Sequence, residues 1–247
     1  MVPHRDNRSL PRNATVSGLP DAIAGRARAS RAWLFDMDGT LLNSEHLACD
    51  AFNAAARERG ITIAPAAYAR LIGHRGDSGR QILAEIVGSL EEAEGIFERA
   101  NDVYARAIEE GQLQPMPGVE ACLEALSRRG VPMAVVTSTQ TALAREKLQR
   151  TGLAGAFGTV VGGDCVEHGK PAPDSYERAA QNLGFAPEAC LAVEDSPIGL
   201  QAAHAAGCLT VLIPDRVPAT AQTRALADLV LPTLLPLAQL AAGATCP

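Results

Sequence analysis

Short apolar runs recur along the chain from residue 32 onward, each four to six residues long and rich in Val, Leu, Ile or Ala. Runs of this length without strict alternation are typical of strands that are buried on both faces of a sheet. The pattern predicts six strands, at residues 32–36, 132–137, 158–161, 190–194, 208–213 and 228–231.

Between these runs lie amphipathic stretches in which apolar residues recur three or four positions apart, the spacing of one face of a helix. A glycine follows each of three such stretches and suits the left-handed residue after a helix. The predicted helices span residues 117–129, 141–151 and 174–183, followed by Gly130, Gly152 and Gly184. Alternating strands and helices predict an α/β fold with a parallel sheet and helices on both faces.

Residues 45–113 interrupt this alternation, because successive stretches have helical periodicity and none has a strand pattern. We expect an inserted all-helical cap domain over residues 45–113 and a catalytic core formed by residues 31–44 and 114–247. Residues 1–30 mix Pro, Gly, Asn, Ser and Arg without apolar periodicity, which predicts a poorly ordered N-terminal extension.

Composition limits the classes of partner. With 47% apolar residues the chain can form a core, and a net charge of −6 argues against nucleic acid or a membrane surface as the partner. No apolar run approaches the roughly 20 residues of a membrane span, and no secretory signal is recognisable. The six cysteines are scattered, so we expect reduced thiols. We expect a cytoplasmic protein, a monomer or weak homodimer, that acts on a small soluble molecule.

Polar side chains follow several of the predicted strands. Asp36 and Asp38 follow the first strand, although two carboxylates about 4 Å apart repel by roughly 4 kcal/mol at an effective dielectric of 20. The carboxyl ends of parallel strands meet at one edge of a sheet, where ligands bind. We therefore expect a set of polar residues to converge there: Asp36, Asp38, Thr137, Ser138, Lys170, Glu194 and Asp195.

The chemistry of this set indicates a phosphoester substrate. Carboxylate oxygens from Asp36 and Asp195, with a main-chain carbonyl near Asp38, suit Mg²⁺, and such a cation would offset the repulsion. Lys170, a hydroxyl and the free amides of the DMDGT turn can donate hydrogen bonds to a phosphate. One carboxylate can act as a covalent nucleophile and a second as general acid and base.

Structural roles would also explain several of these residues. Asp36 and Asp38 could be turn residues, Lys170 a solvated loop charge and Thr137 the end of a strand. We expect Ser196 to cap the helix that Pro197 begins. No partner can be named for three histidines, for which we expect surface or packing roles: His46, His168 and His204.

The sequence DMDGT, the strand-end Thr137, Lys170 in GKPAPD and the sequence VEDSPIGL resemble, in order, the four motifs of the haloacid dehalogenase-like superfamily. The resemblance covers residues 31–232. It is closest to the branch with a helical cap between the first two motifs, which includes beta-phosphoglucomutase-like proteins and sugar-phosphate phosphatases. It implies a Rossmann-like core and a mobile lid.

The resemblance also implies roles for individual residues. Asp36 would form an aspartyl-phosphate, and Asp38 would protonate the leaving oxygen and then activate water. Thr137 and Lys170 would bind the phosphoryl group. Main-chain amides would assist them, at Met37, Asp38 and Ser138. Mg²⁺ would be held by Asp36, Asp195, the Asp38 carbonyl and, through a water molecule, Glu194.

The cap segment at residues 72–83 contains three glycines, which allow close backbone approach to a ligand. In similar proteins such a loop enters the site and sets specificity, so His74, Arg75 and Arg80 are candidate substrate contacts. Two positions depart from the family pattern: Asn43 stands where many relatives have Asp, and Ala48 aligns with a histidine of the mutases.

These observations favour a magnesium-dependent phosphatase that acts on a small phosphorylated metabolite, with a sugar or polyol phosphate as the expected substrate. A phosphomutase is the alternative, and Ala48 argues against it. A phosphate-responsive regulatory module is a third hypothesis, although such modules are smaller and lack an inserted helical domain. A dehalogenase is disfavoured, because those relatives lack the second aspartate of DxD.

Overall fold

The computed structural model describes residues 21–68, 70–71 and 76–243. Its strands are β1 (Ala32–Phe35), β2 (Met133–Val136), β3 (Thr159–Val161), β4 (Cys190–Glu194), β5 (Leu209–Leu212) and β6 (Leu229–Val230). Each strand lies within its predicted range. They form one parallel sheet in the order β3-β2-β1-β4-β5-β6. The chain leaves β1 toward one edge and returns to β4 on the other side, so a crevice opens between these strands.

The helices are α1 (Asp21–Ala29), α2 (Ser44–Glu58), α3 (Pro65–Tyr68), α4 (Gly76–Val87), α5 (Leu90–Glu109), α6 (Val119–Arg128), α7 (Thr141–Arg150), α8 (Asp174–Leu183), α9 (Pro197–Ala205), α10 (Ala221–Leu226) and α11 (Leu235–Ala241). Three of them match the predicted helices. The glycine after each of these has a positive φ, for example 81° at Gly184, as the left-handed residue after a helix requires.

Alternate residues of the central strand enter two different cores. Trp33 and Phe35 face the layer that contains α6, α7 and α11, whereas Ala32 and Leu34 face α8 and α9. Helices therefore cover both faces of the sheet, which confirms the predicted fold class and explains why the strands are continuously apolar.

Every regular element between residues 44 and 109 in the described ranges is a helix. Helix α5 packs against both α2 and α4, and these helices share a hydrophobic core that includes Ala55, Leu83 and Ile96. This block is the helical insertion expected from the sequence. The side chain of Asn43 joins the two connections to it: Oδ1 accepts from the Gln114 N–H (2.8 Å), and Nδ2 donates to the Gln112 carbonyl (3.3 Å).

The predicted disorder of residues 1–30 is wrong for α1. Ala24 and Ala27 of this helix are buried in the main core, and the Arg26 guanidinium pairs with Asp228 at 2.8 Å. The apolar face of α1 consists of small side chains, which give a weak periodic signal. Residues 1–20 lie outside the described ranges.

The five cysteines in the described ranges are free thiols, as their spacing predicts, and Cys246 lies outside these ranges. Four of the five are buried, whereas Cys165 is exposed. None of the helices that the structure describes is both long and apolar enough to cross a membrane.

Candidate active site

The crevice beyond the carboxyl ends of β1 and β4 has a volume of about 60 Å³ and polar walls. Its lining consists of Asp36, Asp38, Glu45, Thr137, Ser138, Lys170, Asp195, Ser196, Ile198 and Gly199. Glu194 is fully buried beside it. The structure therefore brings together the polar residues that the sequence places at the strand ends.

Lys170 lies at the centre of the charged groups. Its ammonium donates to Asp36 Oδ1 and Glu194 Oε1, both at 2.6 Å, and to the Val136 carbonyl at 3.0 Å. These three acceptors match the three N–H donors of a lysine. Burial lowers the pKa of Lys170, but Asp36 and then Glu194 outweigh this effect and raise the pKa above its ordinary value. Lys170 is thus a buried lysine whose charged form is favoured by two carboxylates, and it is not a solvated loop charge.

Glu194 is oriented by hydroxyl groups as well as by Lys170. The Tyr176 hydroxyl donates to Glu194 Oε1 at 2.5 Å, and the Ser196 hydroxyl donates to Oε2 at 3.1 Å. Ser196 also caps α9, as predicted, because its oxygen accepts from the Gly199 N–H at 3.1 Å. A Cβ at Gly199 would lie 2.0 Å from Glu194 Oε1, so only glycine leaves room for this carboxylate.

Three buried carboxylates form a candidate metal centre. Oxygen atoms of Asp36, Glu194 and Asp195 lie within 4.8 Å of one another. Burial raises the pKa of Asp36 well above its ordinary value, and Glu194 adds to the rise while Lys170 opposes it. Burial likewise raises the pKa of Asp195, and Asp36 and Glu194 add to that rise. One ammonium does not neutralise three carboxylates, and an all-oxygen donor set fits a hard divalent cation.

Asp38 lies on the other side of the crevice, where both of its oxygens accept hydrogen bonds. Oδ1 accepts from the Ser44 hydroxyl at 2.6 Å and from the Lys147 ammonium at 2.7 Å. Oδ2 accepts from the hydroxyl groups of Thr139 at 2.7 Å and Thr137 at 3.3 Å. The two aspartates of the DxD pair therefore have separate lysine partners.

The remaining predicted phosphate ligands differ in what they can offer. Thr137 is buried, whereas Ser138 is exposed at the crevice. The side chain of Met37 is fully buried in the main core, so this residue can contribute only its main chain to the crevice.

A larger pocket of about 560 Å³ lies between the helical insertion and the core, next to the crevice. Its walls include Phe52, Tyr68, Phe97 and Tyr104 together with Arg80. The Arg80 guanidinium lies 5.1 Å from the centroid of the Phe97 ring. His74 and Arg75 lie outside the described residues, so their predicted contacts stay predictions.

Several side chains that contact the predicted site residues were not predicted from the sequence: Thr40, Ser44, Thr139, Lys147 and Tyr176. Thr40 and Ser44 follow closely on the DxD pair, and Thr139 lies two residues after Thr137, so their positions near the strand ends were available as a signal. Tyr176 and Lys147 lie inside helices, where only the periodicity of the apolar face indicates burial.

Comparison with known proteins identifies the family. A sequence model of the haloacid dehalogenase-like hydrolases matches residues 31–207. Hexitol phosphatase A of Escherichia coli (strain K12) is 34% identical over 204 residues, which cover 83% of this chain and 91% of the relative.

Solved structures show the same fold. A Thermotoga maritima protein assigned provisionally as a beta-phosphoglucomutase superposes with a TM-score of 0.72 and 27% identity, covering 87% of this chain and all of its own. A HAD family hydrolase from Deinococcus radiodurans R1, solved with bound phosphate and sodium, has a TM-score of 0.69 and 29% identity, covering 83% of this chain and 91% of its own. The chain belongs to the haloacid dehalogenase-like hydrolase family.

Proposed function

We propose that this hydrolase is a magnesium-dependent phosphatase of a small phosphorylated metabolite, with sugar or polyol phosphates as its substrate class. The observation that carries the proposal is the buried bridge of Lys170 between Asp36 and Glu194, with Asp195 beside it. The relative that hydrolyses hexitol phosphates and the related hydrolase that binds phosphate both support it.

The residues that would hold Mg²⁺ are Asp36 and Asp195 through their carboxylates, Asp38 through its carbonyl oxygen, and Glu194 through a water molecule. When bound, the ion supplies positive charge that neutralises phosphate oxygens. The carboxylate cluster described above fits such an ion, because hard cations prefer oxygen ligands.

Different residues of the chain carry out the separate steps of the reaction. Asp36 attacks phosphorus with one carboxylate oxygen, and the bond between phosphorus and the leaving oxygen breaks as Asp38 gives that oxygen a proton. Water next attacks the aspartyl-phosphate, Asp38 accepts a proton from the water, and the Asp36–phosphorus bond breaks to release phosphate. Lys170, Thr137 and the main-chain amides of Met37, Asp38 and Ser138 stabilise the charge on the phosphoryl oxygens.

The pocket of about 560 Å³ is the place for the leaving group. Arg80 and Asn101 are polar residues in its wall and can contact hydroxyl groups of a sugar or polyol. We include His74 and Arg75 in this proposal on the sequence pattern alone.

The test is phosphate release from a panel of sugar and polyol phosphates, phosphoglycolate and nucleotides, with Mg²⁺ and with EDTA. We expect turnover that requires Mg²⁺ and falls at least about 10³-fold in Asp36→Asn, because the nucleophile is removed. Asp21→Asn, which removes an exposed carboxylate on α1, should retain wild-type turnover. Full activity of Asp36→Asn, with deamidation excluded by mass spectrometry, would contradict the assignment.

A phosphomutase is the second candidate, since a structural neighbour is provisionally assigned to that activity. Ala48 lines the pocket and offers only a methyl group where the mutases have a histidine. Isomerisation of a sugar phosphate without net phosphate release would select the mutase over the phosphatase.

A further inference from the structure

Lys147 is a second buried lysine near the crevice, and it lies outside the four family motifs. It belongs to α7, and its side chain is 1% exposed. Lysine is almost never fully buried without a charged partner, because transferring an ammonium from water is costly. The partner here is Asp38, whose Oδ1 lies 2.7 Å from Lys147 Nζ.

The surroundings of Lys147 join the core to the cap. The ammonium lies 5.3 Å from the centroid of the Tyr104 ring, which belongs to α5 of the helical insertion. A cation over an aromatic face is attracted by the ring's negative surface, and this attraction is stronger when the pair is buried. Lys147 therefore contacts the DxD turn on one side and a cap helix on the other.

Among the described residues that donate hydrogen bonds to the Asp38 carboxylate, Lys147 differs in charge. Ser44, Thr137 and Thr139 contribute neutral hydroxyl groups, whereas Lys147 contributes a full positive charge. Charge-assisted hydrogen bonds are roughly twice as strong as neutral ones. Of these four described donors, the lysine therefore contributes most to holding the Asp38 carboxylate in place.

We propose that Lys147 is a positioning residue for the reaction: it holds the Asp38 carboxylate at the distance from which it exchanges protons with the leaving oxygen, and Tyr104 ties that position to the cap. This inference rests on the proposed function, in which Asp38 is the acid and base. Lys170 pairs with Asp36 and Glu194, whereas Lys147 pairs with Asp38.

Two substrates with different leaving groups can distinguish a positioning role of Lys147 from a purely structural role. An alkyl alcohol needs a proton in order to leave, whereas p-nitrophenolate leaves without one. The value of kcat/KM depends only on the steps up to and including the first irreversible step. In this reaction the leaving group departs in that step, when the aspartyl-phosphate forms. Loss of Asp38 positioning should therefore reduce kcat/KM for glycerol 2-phosphate and leave p-nitrophenyl phosphate little affected.

The experiment compares wild type, Lys147→Met and Lys147→Arg on both substrates with Mg²⁺. We expect Lys147→Met to reduce kcat/KM for glycerol 2-phosphate at least about tenfold, through kcat with KM within about twofold, and to change the value for p-nitrophenyl phosphate by less than about threefold. Lys147→Arg keeps the positive charge but places it in a wider group at a different position. This variant should therefore fold even if Lys147→Met does not, and its kcat/KM should likewise fall for glycerol 2-phosphate and not for p-nitrophenyl phosphate.

Arg145→Met is the matched control, because it removes an exposed cation from the same helix and should leave both substrates unaffected. Equal losses on the two substrates in either Lys147 variant, or no loss on either, would overturn the positioning role while leaving the phosphatase function intact. A wild-type protein that releases phosphate from neither substrate nor from any member of the panel above would overturn the phosphatase function and this role with it.

Discussion

At the scale of single residues, Gly39 shows how closely the DxD turn approaches the carboxylate cluster. Its φ is +91°, a conformation that L side chains rarely adopt, and a Cβ there would lie 2.4 Å from Asp195 Oδ2. A side chain at this position would both strain the turn and displace a proposed metal ligand. The glycine of DMDGT is therefore required by the site as well as by the turn.

Gly39→Ala should for this reason lose activity as well as stability. We expect kcat/KM to fall about 100-fold, the order expected when a catalytic group is displaced by about 1 Å. The matched control is Gly60→Ala, where φ is +72° but no atom lies within 4 Å of the added Cβ. That control should cost about 1–2 kcal/mol in the free energy of unfolding and keep full activity. Equal activities of the two variants in phosphate release would contradict the close approach to Asp195.

Single residues also show which parts of the site the sequence could reveal. Asp36, Lys170 and Asp195 were predictable because each lies next to a recognisable strand or helix boundary. Lys147 was not, since its partner Asp38 is 109 residues away. One signal was present: Lys147 lies between Ala144 and Leu148 on the buried face of α7, where the helical period otherwise predicts an apolar residue.

At the scale of elements, the strands were easier to predict than the contacts between elements. Continuous apolar runs predicted all six strands, and such runs are required where both faces of a strand are covered, as in β1, β2, β4 and β5. Helix α1 was missed because alanines alone form its buried face. No partner of His46 could be named from the sequence, because its partners Asp215 and Arg216 lie in the loop after β5, about 170 residues away in the chain.

His46 joins the first cap helix to that loop. Its Nε2 lies 2.6 Å from Asp215 Oδ1, and its Nδ1 lies 3.3 Å from Arg216 Nη1. The hydrogen bond with Asp215 raises the pKa of His46 above its ordinary value, while burial and Arg216 oppose the rise. We therefore expect the contact between cap and core to depend on pH.

The sign of this dependence follows from the raised pKa. The stabilisation is complete below the unfolded pKa of about 6.5 and is lost as the pH rises through the higher folded pKa. We expect His46→Gln to be less stable than wild type at pH 5.5 and the difference to shrink by pH 9, as measured by urea unfolding. His204→Gln, at an exposed histidine of α9, controls for the loss of an imidazole. A difference that is constant with pH, or that grows as pH rises, would contradict the ion pair.

At the scale of the whole molecule, the order of the strands explains why distant motifs form one site. The connections diverge on either side of β1 and β4, and this divergence opens a crevice at the carboxyl ends of these two strands. Strand ends, and hence the motifs, could be predicted from sequence. The shape of the pocket between cap and core could not, because it depends on how two separate hydrophobic cores are arranged.

If the buried carboxylates hold Mg²⁺ as proposed, the stability of the whole chain should depend on this cation. Because Asp36, Glu194 and Asp195 repel one another and the pKa of Asp195 is raised, its ionised form at neutral pH destabilises the fold when no cation is bound. A ligand that binds only the folded state stabilises it by about 2.7 kcal/mol at 100 times its Kd. Mg²⁺ should therefore raise the Tm of the wild type in proportion to the logarithm of its concentration.

Asp195→Asn should reverse the order of stabilities. In EDTA the variant should unfold at the same temperature as wild type or above it, because one repelling charge is gone while the amide oxygen can still accept from Thr40. In Mg²⁺ the wild type should be the more stable, because the variant has lost a ligand. Glu177→Gln, which removes an exposed carboxylate from α8, should show the full wild-type shift in differential scanning fluorimetry. If Mg²⁺ raised the Tm of wild type, Asp195→Asn and Glu177→Gln by the same amount, Asp195 would not be a ligand of the cation.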